Sequence, residues 1–161
     1  MKKIFPVMLL AGGLLVSATY GQAGLSEKAK KNLASNSAIM KGYAAGDFTA
    51  VSKYIAADAV DHGGEMGDVK GVDSIISEMK RYRAMMPDMQ YEVVKELADD
   101  EYVFSWTLVK GSMNGQPMTM NGVDVSKFKD GKAVEHWTFM DPKDMMKMMP
   151  PPPPPPPAPK Q

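Results

Sequence analysis

The chain has 161 residues, a one-domain length, and its 44 % hydrophobic and 24 % charged residues give the balance of a globular protein. Nineteen basic residues meet nineteen acidic ones and no basic stripe occurs, so nothing marks a nucleic-acid surface. With no cysteine there is no disulfide, thiolate zinc site or lipid-bearing thiol, and the unusual counts are 16 methionines and 13 prolines.

Lys2-Lys3 precede an apolar run from Ile4 to Val16, and small residues fill Ser17 to Ala23. That is the order of a secretory signal peptide, and the run is too short for a bilayer-spanning helix. Cleavage is expected after Ala23, with Ala18 as the alternative. The protein is then exported, periplasmic or secreted, and no longer tied to the membrane. Cleavage removes Lys2 and Lys3, leaving 17 basic against 19 acidic residues and a mature charge of −2. The expected division is 1–23 signal peptide, 24–142 folded domain and 143–161 tail.

A helical pattern opens at Ser26-Glu27, carries Ala29, Leu33, Met40 and Tyr43 near one face, and stops at Gly46. Asp47 is suited to cap a short second helix bearing Val51, Tyr54 and Ile55. Residues 57–62 extend, and the glycines at 63, 64 and 67 make a loop. A third helix runs from about Val72 to Met85, with Val72, Ile75, Ile76, Met79 and Tyr82 on its apolar face, and Pro87 ends it. From Met89 the period becomes two: a strand over 89–97, a second over 101–113, an Asn114-Gly115 turn, and a hairpin over 118–141 turning at Asp130-Gly131. Helices first and a meander after them predict an α+β fold.

Gly122 to Asp141, GVDVSKFKDGKAVEHWTFMD, resembles the C-terminal signature of the SnoaL-like polyketide cyclases, within the superfamily of nuclear transport factor 2 and ketosteroid isomerase; the likeness runs over roughly residues 28–141. It implies a cone-shaped, curved antiparallel sheet packed against about three N-terminal helices (NTF2-like), a homodimer with paired sheet faces, and a pocket for a small hydrophobic ligand. It implies no cofactor and no metal. Within Asp124-Val-Ser-Lys127-Phe128 it gives Asp124 the position of a catalytic acid, and it places His62 at the end of a segment that faces the pocket.

Asp124 is also singled out by its neighbours. A carboxylate among Val123, Val125 and Phe128 is expensive to bury unpaired, so facing a cavity it would have a raised pKa suited to acid/base work. Its plain alternative is an edge-strand surface residue. His62 is a pocket residue or a surface-loop histidine, and Asp61, a further ligand contact, should alternate away from it. His136 and Trp137 also alternate: either His136 faces in and partners Asp124, or Trp137 faces in as a wall, and the sequence leaves that open. Tyr82, Trp106 and Met120 are wall residues or ordinary core. No H-x-H or H-E-x-x-H spacing suggests a metal. Met145, Met146, Met148 and Met149 have the soft thioethers of a copper site, but without a histidine the packing reading is stronger.

Pro150 to Pro157 form an unbroken proline run, an extended rod of ~25 Å. Three functions compete: a cofactor-free isomerase, cyclase or dehydratase acting on a hydrophobic carbonyl or polycyclic compound, with Asp124, His62 and His136 as its groups; a non-catalytic binding module; and a scaffold that works through its dimer face and tail.

Overall fold

A computed structural model describes residues 24–64, 66–113 and 115–148. The expected signal peptide and the proline run lie outside them.

Helix α1 (Glu27–Ala45) begins where Ser26 Oγ accepts the Ala29 N–H at 3.0 Å and ends where Gly46 turns left-handed at φ 74°. Asp47 caps α2 (Phe48–Ser52) through Ala50 N–H at 3.0 Å. Strands β1 (Ile55–Asp61) and β2 (Val69–Lys70) precede α3 (Val72–Met85). Then come β3 (Gln90–Ala98), β4 (Tyr102–Met113), β5 (Gln116–Lys129), β6 (Lys132–Met140) and α4 (Pro142–Met148). Asp130 and Gly131 take φ 55° and 80°, which closes the β5–β6 hairpin in two residues.

The sheet has six strands in the order β2-β1-β6-β5-β4-β3. The expected meander is β3 to β6, all antiparallel. The expectation of an entirely antiparallel sheet is corrected at one edge, where β1 runs parallel to β6 with Asp61 opposite His136. A parallel pair needs a long crossover, here α3 and the other meander strands, so local pattern does not reveal it. The architecture is the α+β cone of the NTF2-like fold.

One face of the sheet is covered by α1 to α3. Along β5 its inward residues run Phe128, Ser126, Asp124, Gly122, Met120, Met118; along β4 they run Val103, Ser105, Thr107, Val109, Gly111, Met113. The interior therefore has three zones. At one end Leu33, Ile39, Val51, Ile55, Ala59, Ile75, Val103, Phe128 and Ala133 form the main core. At the other end Met86, Met113, Met118 and Met120 form a second apolar cluster. Polar residues lie between.

The opposite face of the sheet is open and carries an apolar patch. Leu97 and Phe104, and Trp106, Val123 and Phe139, stand in neighbouring cross-strand positions there and are 39–60 % exposed. Helix α4 takes up the start of the expected tail. Asp144 Oδ2 accepts the Asn121 N–H at 3.0 Å where β5 outruns β6, so this helix closes a strand edge. Met145 and Met146 on it are exposed. Among the described residues no helix is long and apolar enough to cross a membrane.

The contact between α1 and α2 depends on a glycine. A Cβ at Gly42 would stand 2.7 Å from Cγ2 of the fully buried Val51 and 3.2 Å from the Asp47 carbonyl. Gly42→Ala gains about 1 kcal/mol of helix propensity and loses about 1–3 kcal/mol to overpacking. Because Val51 has nowhere to move, net destabilisation of about 1 kcal/mol is expected in urea unfolding; a more stable variant would contradict this packing.

Candidate active site

Asp124 lies in the polar zone, 8 % exposed, and three strands converge on it. Tyr91 on β3 donates its hydroxyl to Asp124 Oδ2 at 2.6 Å. Thr107 on β4 donates to the same oxygen at 3.0 Å. From β6, Thr138 donates to Oδ1 at 2.9 Å, and His136 Nε2 stands 3.6 Å from it. The other His136 nitrogen, Nδ1, meets Asp61 Oδ1 at 3.1 Å. Gly63 N–H holds that same Asp61 oxygen at 2.8 Å. The result is a line, Asp61–His136–Asp124, ending in three hydroxyls. Its Asp61–His136 end is the more open, the His136 and Asp61 side chains being 30 % and 22 % exposed.

The charge states follow from burial and pairing. Burial pushes the Asp124 carboxyl up, but the His136 imidazolium and the Tyr91 and Thr138 hydroxyls outweigh it and hold the pKa below the usual value. The expected upward shift is thus reversed, because the buried carboxylate is not unpaired. Burial also pushes Asp61 up, and the hydrogen bond and charge of His136 again bring it below normal. Burial favours neutral His136, yet the two carboxylates raise its pKa to about 9. At neutral pH the line is carboxylate, imidazolium, carboxylate. Tyr91 stays protonated, raised by burial and then by the adjacent Asp124 charge. Tyr43 on α1 packs edge-on against Tyr91 at 6.4 Å, and burial pushes it up to about 12.

The residues expected to share a pocket divide between the two faces. Asp124, His136 and Asp61 meet in the covered interior. His62 does not join them: with Asp61 opposite His136, alternation sends His62 to the other side, where it stacks on Trp137 at 4.8 Å between rings and pairs with Asp68 at 2.9 Å and Glu135 at 3.4 Å. The Asp68 hydrogen bond, the largest influence, raises the His62 pKa. Trp137 and Trp106 stand on the open face, so His136 is the inward member of its pair. Tyr82 is half-buried on α3 with the Arg81 guanidinium 4.4 Å over its ring. Met120 belongs to the methionine cluster, two inward positions from Asp124.

Sequence reasoning missed Tyr91, Thr107, Thr138 and Tyr43. Thr138 was within reach, since it follows His136 by two in an alternating strand. Tyr91 and Thr107 needed the β3–β4–β5 register. Two surface hollows lie away from the cluster: one of about 510 Å³ on α3 beside Asp73, Ser77 and Arg81, and one of about 550 Å³ between the start of α1 and the β3–β4 turn. Among the described residues no three His, Asp or Glu side chains form a metal-holding group.

The sequence matches the family model of the SnoaL-like domain over residues 37–136. No curated protein matches it significantly. Among solved structures, a protein of Jannaschia sp. CCS1 described as a SnoaL-like polyketide cyclase is 15 % identical with a TM-score of 0.70, over 78 % of this chain and 97 % of the other. IdmH of Streptomyces antibioticus, described as a polyketide cyclase, is 23 % identical with a TM-score of 0.64, over 72 % and 96 %. An LEH-like epoxide hydrolase of M. tuberculosis is 15 % identical with a TM-score of 0.65, over 74 % and 90 %. At these identities the likeness is one of fold.

Proposed function

The chain belongs to the SnoaL-like domain family, and from that premise we propose that it acts on a small hydrophobic carbonyl compound by cofactor-free acid/base chemistry, with Asp124 as base and His136 as acid. One observation carries this reading: a nearly buried, ionised carboxylate held by Tyr91, Thr107, Thr138 and an imidazolium between the main core and a second apolar cluster.

In the resting site Asp124 is a weak base because its oxygens are engaged. A ligand carbonyl that draws the Tyr91 hydroxyl to itself removes one of those bonds and raises the Asp124 pKa where a base is required. Asp124 then takes a proton from the carbon beside the carbonyl. The enolate oxygen that results is held by the Tyr91 O–H and faces the His136 charge. Return of the proton at another carbon is an isomerisation. Attack of the enolate carbon on a second carbonyl closes a ring, and His136 protonates the alkoxide that forms. Expulsion of a β-hydroxyl, protonated by His136, is a dehydration. Asp61 fixes the His136 ring and keeps it charged.

Asp124→Asn keeps the shape of the site and removes the base. A loss of turnover of at least about a hundredfold is expected across fused-ring ketones; unchanged turnover would remove Asp124 from the chemistry. A second reading, a non-catalytic binder, draws on the saturation of Asp124 in the resting site. Under it the same variant leaves ligand affinity unchanged and wild-type protein turns nothing over.

The reading takes the protein as exported, on the order of residues 2–23, and as a homodimer. The open apolar face with Phe104, Trp106 and Phe139 suits a second copy of this chain. Trp106→Glu should halve the mass measured by light scattering and leave the interior site intact; a wild-type monomer at tens of micromolar would refute the dimer.

A further inference from the structure

We propose that the methionine cluster beside the polar zone is the seat for the apolar body of the ligand, and that Met86 is the side chain that gives way to admit it. The inference rests on the reading of Asp124 as the reacting group and specifies what lies beyond it: an elongated, uncharged, fused-ring compound carrying its carbonyl at one end.

The two apolar clusters share one sheet face and differ in composition. The buried residues of the main core are Leu, Ile, Val, Ala and Phe, with no methionine. Those of the second cluster are all methionine: Met86, Met113, Met118 and Met120, with Met89 and Val109 packed against them. Branched and aromatic side chains fix a core in one arrangement, whereas the unbranched, polarisable methionine repacks around different shapes. Among the described residues every buried methionine but Met40 is thus gathered at one end of the interior, while the partly buried Met79 packs against the main core.

The backbone between the two is bare. Gly122 is the inward residue between Asp124 and Met120, and Gly111 lies between Val109 and Met113. A Cβ at Gly122 would stand 3.6 Å from the Thr107 hydroxyl that binds Asp124. A Cβ at Gly111 would stand 2.6 Å from both Cγ and Sδ of Met86, so Met86 lies directly on the strand. From Asp124 to Met118, the residue opposite Gly111, this floor runs about 20 Å along β5, room for an elongated compound of several fused rings.

Met86 is 1 % exposed and belongs to the turn after α3. The backbone of that turn is tied down. Arg83 Nη1 donates to the Met86 carbonyl at 2.8 Å, Met89 N–H donates to it at 3.1 Å, and Ser112 N–H donates to Asp88 Oδ1 at 2.7 Å. The side chain can therefore leave Gly111 by rotamer changes alone, with the turn in place. Rings that replace it on Gly111 keep the contact apolar on both sides, and a compound that spans the floor brings its carbonyl end to Tyr91 and Asp124.

The test uses 2-naphthol, a neutral two-ring probe that is shorter than the floor and so reports on the seat alone. The full-length protein is labelled with [methyl-13C]methionine, and single Met→Leu variants assign the signals. Titration should shift the Met86, Met113, Met118 and Met120 methyls together and leave Met145 and Met146 on α4 in place. Met86→Ala should bind about tenfold more tightly, because no side chain has to be displaced. Asp124→Asn should show the same methionine shifts. Binding that moves none of the four cluster methyls overturns the proposal, as does the absence of binding up to the solubility of the probe. Shifts in the cluster with no turnover of any ketone support the seat and sink the acid/base reading instead.

Discussion

Asp124→Ala should lower the unfolding free energy by about 2–3 kcal/mol, and Asp124→Asn by about half as much. The alanine variant strips an acceptor from three hydroxyls, those of Tyr91, Thr107 and Thr138, and one counter-charge from His136. Removing one partner from a buried ion pair costs more than the pair contributes, because the other charge remains. Two terms limit the loss: Asp61 still pairs with His136, and the desolvation cost of Asp124 itself disappears. An asparagine keeps one acceptor, and the hydroxyls can rotate to accept from its amide. Urea unfolding of the three proteins checks the order. A loss below about 0.5 kcal/mol for the alanine variant would mean that the line of charges is not formed.

Stability should fall as pH rises from about 6.5 to about 9, and His136→Gln should remove most of that fall. The folded His136 pKa is raised from its ordinary 6.5 to about 9 by its two carboxylates. The folded state therefore binds the proton more tightly than the unfolded state does. That contribution is fully present below about pH 6.5 and is lost as pH climbs through about 9. A shift of this size corresponds to about 3 kcal/mol for a dry site; with the side chain 30 % exposed, about 2 kcal/mol is expected. Asp124 and Asp61 act in the opposite sense. Their folded pKa values are lowered, so their contribution is present above their ordinary 3.8 and is lost as pH falls through the folded values. Melting temperatures from pH 3 to 10 should thus peak between these limbs. A flat profile between 6.5 and 9 in the wild type would show that His136 is not held between carboxylates.

Local signals in the sequence were strong where the structure depends on them locally. Ser26 and Gly46 bracket α1, Asp47 caps α2, and Asp130-Gly131 closes the hairpin, because capping and positive φ are properties of single residues. Whether His136 or Trp137 shares the face of Asp124 was open in the sequence: the hairpin turn alone would set Asp124 opposite Trp137, and the bulge at Lys127-Phe128 shifts the register by one, which sets Asp124 opposite Thr138 and brings His136 inward. Asp61 was legible only as a neighbour of His62. Its partnership with His136 comes from the parallel β1–β6 pairing, between segments 75 residues apart, and that pairing also turns His62 away. Strand β2, two residues long, leaves no pattern to read. Tyr91 looked like any aromatic of a β-strand until the register of β3, β4 and β5 brought its hydroxyl to Asp124. The open-face residues Trp106 and Phe139 carry the same alternation as a core, since period two does not say which face is covered.

The central claim is that Asp124 moves a proton to and from a bound ketone. Its most direct test is hydrogen–deuterium exchange at the carbon beside the carbonyl of 2-tetralone in heavy water, followed by NMR with wild-type protein and with Asp124→Asn, both shown to be folded by circular dichroism. Exchange well above the buffer rate is expected for the wild type, with a fall of about a hundredfold or more in the variant. Wild-type exchange at the buffer rate, or equal exchange by the two proteins, would contradict the claim.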